Sequence, residues 1–479
     1  MTDVNAARPA EPGRQAWLWL AVLAGVVYLA GYNVGPPVVN AELRCVDISR
    51  GMYATGEVLV PRLEGEPHLT KPPLFHWLSY AVSVCRGEAG LASVRLVSAL
   101  AAVGVVLLTY VLGLRLADAR VAWWAALLTL GNLTLLSHGH RGTFDTLLTF
   151  FVCLTLCGYT GLWKGRIRTG YALIVTGLIG GFLTKGFMGW VVPLVPMLVD
   201  RLCRPEPRRA LRPLLRALPV VLLGSLAWYA YLLAWVPAAR AVLVDVVTVN
   251  FGVKRSGVEM AFHREPFYYY LYALPFALLP WVVILWPALR RPRVGWREWA
   301  SQQRLALAWL LGNALFLSLV PAKAERYLVP LIPAFSLLVA PGILALESGT
   351  AAATARWRRW LFAVAIAMGT VTLCVMPIWL WVRIGESVTV SILAPALLLL
   401  GLLACAWLIQ RGRLTLALHG IALVVLIAAT PAYARWAPRH VDLSHRHSSP
   451  EYEQYRARQR QLKIFAGRWL PAWVKKPAQ

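Results

Sequence analysis

Charged residues are scarce in this chain, and acidic residues are the scarcest. Only 15% of the 479 residues are charged, and 22 Asp and Glu stand against 48 Lys and Arg. Apolar runs recur along the whole chain, each near the length that about 30 Å of hydrocarbon requires of a helix. Backbone amides in lipid must be satisfied within their own segment, so these runs predict an all-α polytopic membrane protein.

Cysteines are also few, and their spacing establishes no disulfide framework. Of the seven, four lie inside apolar runs, where a small hydrophobic side chain fits: Cys153, Cys157, Cys374 and Cys405. Cys45 and Cys85 share one loop and could pair in an oxidising compartment, but spacing alone leaves this open.

The net charge of +26 does not indicate nucleic-acid binding, because the basic residues are divided among short loops between apolar runs. Such loops report membrane orientation first, and basic loops stay in the cytoplasm. We predict about thirteen spans with the N-terminus inside. The expected spans are 16–35, 91–114, 121–138, 144–163, 169–184, 186–200, 213–236, 266–289, 305–320, 326–346, 360–382, 389–409 and 414–433.

The first outer loop, residues 36–90, is long and has internal order of its own. Residues 42–54 alternate apolar and charged side chains near helical spacing, which predicts a short helix along the membrane surface. An extended, turn-rich stretch follows. Pro72 and Pro73 then begin a second interfacial helix, since prolines are tolerated in a first turn. Lys71 precedes them and is thereby held at the membrane edge.

Ionisable residues near the ends of membrane spans are the best pointers to function in such a chain. Lys185 and Arg326 could simply extend to the interface, and Asp145 could be a favourable first-turn acid, so each signal is weak alone. All of them nevertheless fall on the predicted outer face. The group comprises Glu42, Arg44, Asp47, Lys71, Arg95, Asp145, Lys185, His263, Arg264, Lys323 and Arg326.

Cations beside carboxylates at a lipid–water boundary suit an anionic, lipid-linked substrate. Lys and Arg would hold a phosphate leaving group, and Arg can do so with two hydrogen bonds. A carboxylate would orient or deprotonate the acceptor, or hold a divalent metal. Glycosyl transfer from a polyprenyl phosphate needs this combination of charges.

The segment "ELRCVDISRGMYATGEVLVPRLEGEPHLTKPPLFHWL" resembles the first outer loop of the C-superfamily (GT-C) glycosyltransferases that use lipid-linked sugars. The branch of aminoarabinose transferases and protein-mannosyltransferase-like proteins matches best. Arg95, "GTFDTLLTFF", "LTKGF", "HREPFYYY" and "KAERYLVPLIP" follow in the family order. The resemblance spans about residues 15–345, and its first loop is the specific part.

The resemblance implies roles for individual residues. Arg44 and Lys71 match residues that grip the lipid phosphate, and Asp145 matches the second functional aspartate. Lys185 matches the lysine that follows this aspartate in the family, and Tyr327 matches a tyrosine near the acceptor. His263 falls at a metal-contacting histidine, so a divalent metal ion is the one cofactor that the family suggests.

Two positions depart from the family pattern. Ala41 stands where the family has its first aspartate, which leaves Glu42 and Asp47 as the nearest candidate catalytic acids. Thr70 stands where a glutamate often precedes the Lys-Pro. Both departures put metal binding and the identity of the catalytic acid in question.

We therefore expect a glycosyltransferase of a bacterial inner membrane with its active site facing the periplasm. It would move a sugar, with inversion, from a polyprenyl (undecaprenyl) phosphate to a lipid or other envelope acceptor, as in lipopolysaccharide modification. A transporter or flippase for lipid-linked anions and an inactive binding relative are the alternatives. The expected parts are a cytoplasmic segment 1–15, a catalytic module 16–345 with periplasmic loops 36–90 and 237–265, helices in 346–433, and a basic tail 434–479.

Overall fold

The computed structural model of the chain describes the greater part of residues 14–347 and little beyond. The described residues are 14–33, 40–63, 65–203, 211–236, 239–240, 243–244, 265–285, 303–320, 323–347, 396, 399–405, 407–408, 411, 413, 417 and 420. His263, Arg264, the predicted span 360–382, most of the spans 389–409 and 414–433, and the tail 434–479 lie outside them.

Within these residues the secondary structure is almost entirely helical. The helices are α1 (Arg14–Leu29), α2 (Asn40–Thr55), α3 (Leu74–Arg86), α4 (Leu91–Leu116), α5 (Ala119–Leu130), α6 (Leu133–Gly139), α7 (Phe144–Trp163), α8 (Ile167–Lys185), α9 (Met188–Cys203), α10 (Leu211–Trp235), α11 (Tyr269–Ala277), α12 (Arg304–Leu307), α13 (Asn313–Leu319) and α14 (Ile332–Glu347). A π turn, Ala308–Gly312, joins α12 to α13, and 3₁₀ turns cover Trp281–Ile284 and Glu325–Leu331.

Five of the described helices are long and apolar enough to cross a membrane. A sixth span results if α5 and α6 count as one, although they are bent by 62°. The sequence predicts an unbroken span at 121–138. The chain breaks there because Asn132 caps α6, accepting a hydrogen bond from Leu135 N at 2.9 Å.

The central packing unit is the pair α7 and α8, with α4 lying against α7 and contacting α1 and α5. Glycines bring α7 and α8 together: the Cα of Gly177 faces the backbone of α7 at Phe151 and Thr155. Small residues allow such close approach between helices in membranes, where dispersion contacts rather than hydrophobic exclusion drive packing. This packing determines the position of the C-terminal end of α8, where Lys185 lies.

The first loop folds into the two predicted helices, α2 and α3, with a hairpin between them. Strands β1 (Arg62–Leu63) and β2 (Glu66–Pro67) pair antiparallel, with Arg62 opposite Pro67. Indole groups hold the preceding segment in place: Trp77 Nε1 donates to Val58 O at 2.7 Å, and Trp228 Nε1 donates to Leu59 O at 2.8 Å. Pro73 is the N-cap of α3. Cys45 and Cys85 are free thiols.

A methyl group added at Gly177 should loosen the α7–α8 pair. Its Cβ would lie 2.8 Å from Thr155 N and 2.9 Å from Phe151 O, and neither backbone atom can move aside easily. We expect Gly177→Ala to lower the free energy of unfolding by about 1–3 kcal/mol. Gly25→Ala is the matched control, because its Cβ would meet nothing within 4 Å. Thermal unfolding in detergent, followed by tryptophan fluorescence, measures both; equal midpoints would contradict the close contact.

Candidate active site

A buried ion pair joins the first loop to the helices. Arg95, at the start of α4, donates from Nε to Glu42 Oε1 at 2.8 Å and from Nη2 to Oε2 at 3.3 Å. The backbone N–H of Gly142 also donates to Glu42 Oε1, at 2.8 Å. The two side chains are 2% and 0% exposed. A buried carboxylate costs much less when it is paired and hydrogen-bonded, so Glu42 locks α2 against α4 and the α6–α7 turn.

The α6–α7 turn is held from a second side as well. Ser98 of α4 donates from Oγ to Thr143 O at 3.1 Å and accepts from Thr143 N at 3.2 Å. Thr143 is the N-cap residue of α7, with extended backbone angles. Asp145 follows in the first turn of α7, where the helix dipole favours an acidic side chain.

Asp145 forms the second buried ion pair of the site. Its Oδ1 accepts a hydrogen bond from Lys185 Nζ, at the C-terminal end of α8, and the side chains are only 4% and 8% exposed. Lys185 Nζ also lies 4.5 Å from the centroid of the Tyr327 ring, a cation–π distance. These three residues come from three separate elements, and the sequence predicted all three as site residues.

Arg326 and His138 lie close to this pair. The charges of both act on Asp145. The guanidinium carbon of Arg326 is 5.6 Å from the Tyr327 ring centroid. His138 is 5% exposed, and its Nδ1 has no hydrogen-bond partner within the described structure. Two cations, Lys185 and Arg326, thus act on the single carboxylate of Asp145.

Arg44 and Lys71 gather around His68, a residue that the sequence analysis did not single out. Burial is the main reason why the pKa of His68 falls to about 4, and the positive charges of Arg44 and Lys71 lower it further. His68 Nε2 lies 2.8 Å from Thr70 Oγ1. Arg44 is exposed and Lys71 half-buried, so this group faces the outside of the helix bundle.

The two groups adjoin each other along α2. Burial raises the pKa of the Cys45 thiol, and the charges of Arg44, Glu42 and Asp145 all act on that thiol. Arg44 and Asp47, three residues apart, share the exposed face of α2, while Glu42 and Cys45 lie on its buried face. Lys71, Arg44 and Asp145 thus belong to one region.

The structure brings most of the predicted residues into this region. Asp47 and Arg44 lie on its exposed side, Glu42 and Asp145 inside. His68 and His138 are the residues that sequence reasoning missed. His68 had a signal, since it opens the "HLTKPP" stretch that precedes α3. His263, the predicted metal ligand, lies outside the described residues.

The described residues of this region do not by themselves form a binding site for a divalent metal ion. No three His, Cys, Asp or Glu side chains come together in the part of the chain that the structure describes. Glu42 and Asp145 each have a cation as partner instead. Hard divalent cations need several oxygen ligands, so we derive no step through a metal.

Comparisons with known proteins show what the sequence and the fold of this chain are similar to. A family model for dolichyl-phosphate-mannose-protein mannosyltransferase matches residues 70–236. An undecaprenyl phosphate-alpha-4-amino-4-deoxy-L-arabinose arabinosyl transferase of Pseudomonas aeruginosa is 31% identical over 338 residues. The crystal structure of ArnT from Cupriavidus metallidurans bound to undecaprenyl phosphate aligns with a TM-score of 0.71 and 22% identity, covering 89% of this chain and 78% of that one.

The chain is a relative of the aminoarabinose transferases, with the GT-C fold. This confirms the resemblance predicted from the first loop. A second relative, from Serratia proteamaculans, is 28% identical over 335 residues. The match covers 68% of this chain and 59% of the Pseudomonas protein, so the chain spans less than two thirds of that aminoarabinose transferase. The apolar helices and the GT-C fold also confirm a multi-pass membrane protein.

Removing Arg95 should lower the free energy of unfolding far more than removing an arginine that forms the same kind of ion pair at the surface. Arg95→Met leaves the Glu42 carboxylate buried without its cation, which costs about 3–5 kcal/mol. Arg62 pairs with Glu57 through the same two nitrogens, at 2.9 and 3.2 Å, but at the surface. Arg62→Met should therefore cost at most about 1 kcal/mol.

Thermal unfolding midpoints in detergent measure the difference between the two variants. The double variant Glu42→Leu/Arg95→Met should regain much of the loss, because no buried charge is left unpaired. Equal midpoints for Arg95→Met and Arg62→Met would show that the pair is not buried as described.

Proposed function

We propose that this chain is a membrane glycosyltransferase that moves a sugar from a polyprenyl (undecaprenyl) phosphate to a lipid or other envelope acceptor. Two findings support the proposal. The relatives are named as transferases that use an undecaprenyl phosphate-linked sugar, and the related ArnT structure is described as bound to undecaprenyl phosphate. The charges of the site suit the same chemistry.

One observation carries the proposal: a buried acid–cation pair lies next to a group of more exposed cations. Asp145 and Lys185 form the buried pair, and Arg44 and Lys71 belong to the exposed group. Because the exposed cations stand toward water and head groups, a lipid phosphate can reach them. The buried pair lies deeper, where fixed charges act strongly on a reacting centre.

Arg44 and Lys71 hold the phosphate in this proposal. Their charges offset the negative charge that grows on the phosphate as the sugar leaves. Lys185, Arg326 and Tyr327 line the Asp145 side and orient the sugar and acceptor. The surplus of cations over acids favours a substrate with a net negative charge.

Asp145 is the residue that we assign to the acceptor. A nucleophilic oxygen of the acceptor attacks the anomeric carbon, and the bond from that carbon to the phosphate oxygen breaks. The phosphate leaves with the bonding electrons, and the acceptor proton passes to the Asp145 carboxylate. A single displacement of this kind inverts the anomeric configuration.

Glu42, predicted as a catalytic acid, has contacts that favour a positioning role. Its two oxygens accept from Arg95 and Gly142 and are buried away from the exposed cations. Asp47, on the exposed face beside Arg44, is the other candidate acid. A divalent metal ion held by His263 stays a prediction from the family resemblance.

The finer membrane arrangement belongs to the same proposal. We place the site at the periplasmic face of a bacterial inner membrane, with α2 and α3 lying along that surface. About thirteen spans complete the chain: the module 16–345 carries the chemistry, helices in 346–433 follow, and the tail 434–479 rests on anionic lipid. Membrane lipids surround the protein, and no nucleic-acid partner is expected.

Purified protein given a radiolabelled polyprenyl-phosphate sugar tests the proposal directly. Transfer of label to an envelope lipid extract supports the enzyme. Uptake of lipid-linked anion by vesicles without transfer would instead indicate a transporter or flippase. Binding alone would indicate an inactive relative, which the alanine at position 41 makes imaginable.

Asp145→Asn should abolish most of the transfer while keeping the shape of the side chain. Loss of a general base typically slows a reaction by about 10²–10⁴-fold, and kcat measures this loss. Asp118→Asn is the matched control. Asp118 caps α5 at the other end of α4, and Asn caps helices equally well.

The control variant should keep its activity within about twofold, as most surface substitutions do. Lys71→Ala should chiefly raise KM for the donor, because it removes a phosphate contact. Full activity in Asp145→Asn would remove Asp145 from the mechanism.

A further inference from the structure

His68 is a half-buried titratable group for which neither the proposed reaction nor the family resemblance provides a role. It lies in the loop between β2 and α3, and its backbone N–H donates to Pro61 O at 2.7 Å. Its neighbour Leu69 is 1% exposed. The loop is thus anchored on both sides of the ring, and the ring has a defined place.

The surroundings of His68 are positively charged. The titratable groups around the ring are Arg44 from α2, Lys71 from the same loop and His76 from α3. Glu66, in β2, is the nearest acid along the sequence. The two groups whose charges act on the ring are both cations, so a neutral imidazole is favoured here.

We infer that His68 is a third phosphate-binding residue, which takes up a proton when a phosphomonoester binds beside Arg44 and Lys71, with Thr70 fixing its ring. The inference rests on the proposed function, which assigns the phosphate to these cations. It adds a residue and a proton to that site.

The physical argument is electrostatic. A phosphomonoester carries about −1.5 to −2 charge at pH 7, so its arrival offsets the cations that disfavour a charged imidazole. The pKa of His68, about 4 without ligand, therefore rises on binding. The charged ring then donates to the phosphate, and the hydrogen bond between Thr70 Oγ1 and Nε2 leaves Nδ1 available for that contact.

The sign of the pH dependence follows from linkage. Between pH 4 and the raised pKa of the complex, the complex holds more protons than the free protein. The affinity for the phosphate therefore increases as the pH falls from the raised pKa of the complex to about 4. Below pH 4 protonation of His68 adds no further affinity, because the free protein is protonated as well. Each unit by which the pKa rises strengthens binding about tenfold.

Isothermal titration of the full chain in detergent, with undecaprenyl phosphate as the probe, tests the inference. Titrations at pH 5.5 in two buffers of different ionisation enthalpy count the protons taken up. The wild type should take up more than His68→Gln, by up to about one proton. Glutamine keeps a hydrogen-bonding side chain but cannot titrate, and the phosphate's own ionisation is common to both proteins.

Thr70→Val is the second variant, because it keeps the titrating ring and removes its partner. It should bind several-fold more weakly and still show the additional proton. Inorganic phosphate is titrated separately: proton uptake with both probes assigns the effect to the phosphate group, and uptake with the lipid alone assigns it to a lipid-linked phosphate.

Equal proton uptake by wild type and His68→Gln, with undecaprenyl phosphate bound by both, would overturn the role of His68 and leave the phosphate site standing. Failure of the wild type to bind undecaprenyl phosphate would overturn the proposed phosphate site and, with it, this inference. The two failures are therefore distinguishable in one set of titrations.

Discussion

Pairing of charge inside an apolar helical bundle is the constraint on which the rest of this structure depends. An unpaired ion in such a low-dielectric interior costs several kcal/mol, of order 5, even after relaxation, so each buried acid needs a cation from somewhere in the fold. Glu42 pairs with Arg95, and Asp145 pairs with Lys185. Each pair joins segments that are distant in sequence, and together they bring α2, α4, α7 and α8 to one place.

The Glu42–Arg95 and Asp145–Lys185 pairs differ in their surroundings. Glu42 accepts three hydrogen bonds and is closed off, which suits a residue that fixes the first loop on the bundle. Asp145 stands in the first turn of α7 and shares Lys185 with the Tyr327 ring, close to the more exposed residues of α2. Rigid helix packing beneath, set by glycines between α7 and α8, holds Lys185 within reach. Such preorganised charge is what a reaction that generates anionic phosphate requires.

The chain differs from the family pattern within the first loop, where we propose that the phosphate binds. Ala41 replaces the family's first aspartate, and Thr70 replaces a glutamate. In the structure Thr70 is hydrogen-bonded to His68, and the surrounding charge is positive. The loop that identifies the family is thus also the loop that sets this chain apart within it.

The sequence by itself determined the helical membrane class, the bounds of α7 and nearly those of α4, because hydrophobic length is a local property. It did not foresee the break at Asn132, which depends on one capping side chain. Only the tertiary structure decided which cation each acid takes. The partners of Glu42 and Asp145 lie 53 and 40 residues away, and pairing over such distances is set by helix packing rather than by spacing. The same reason in part hid His68, because Arg44, one of the two cations that act on its ring, comes from α2.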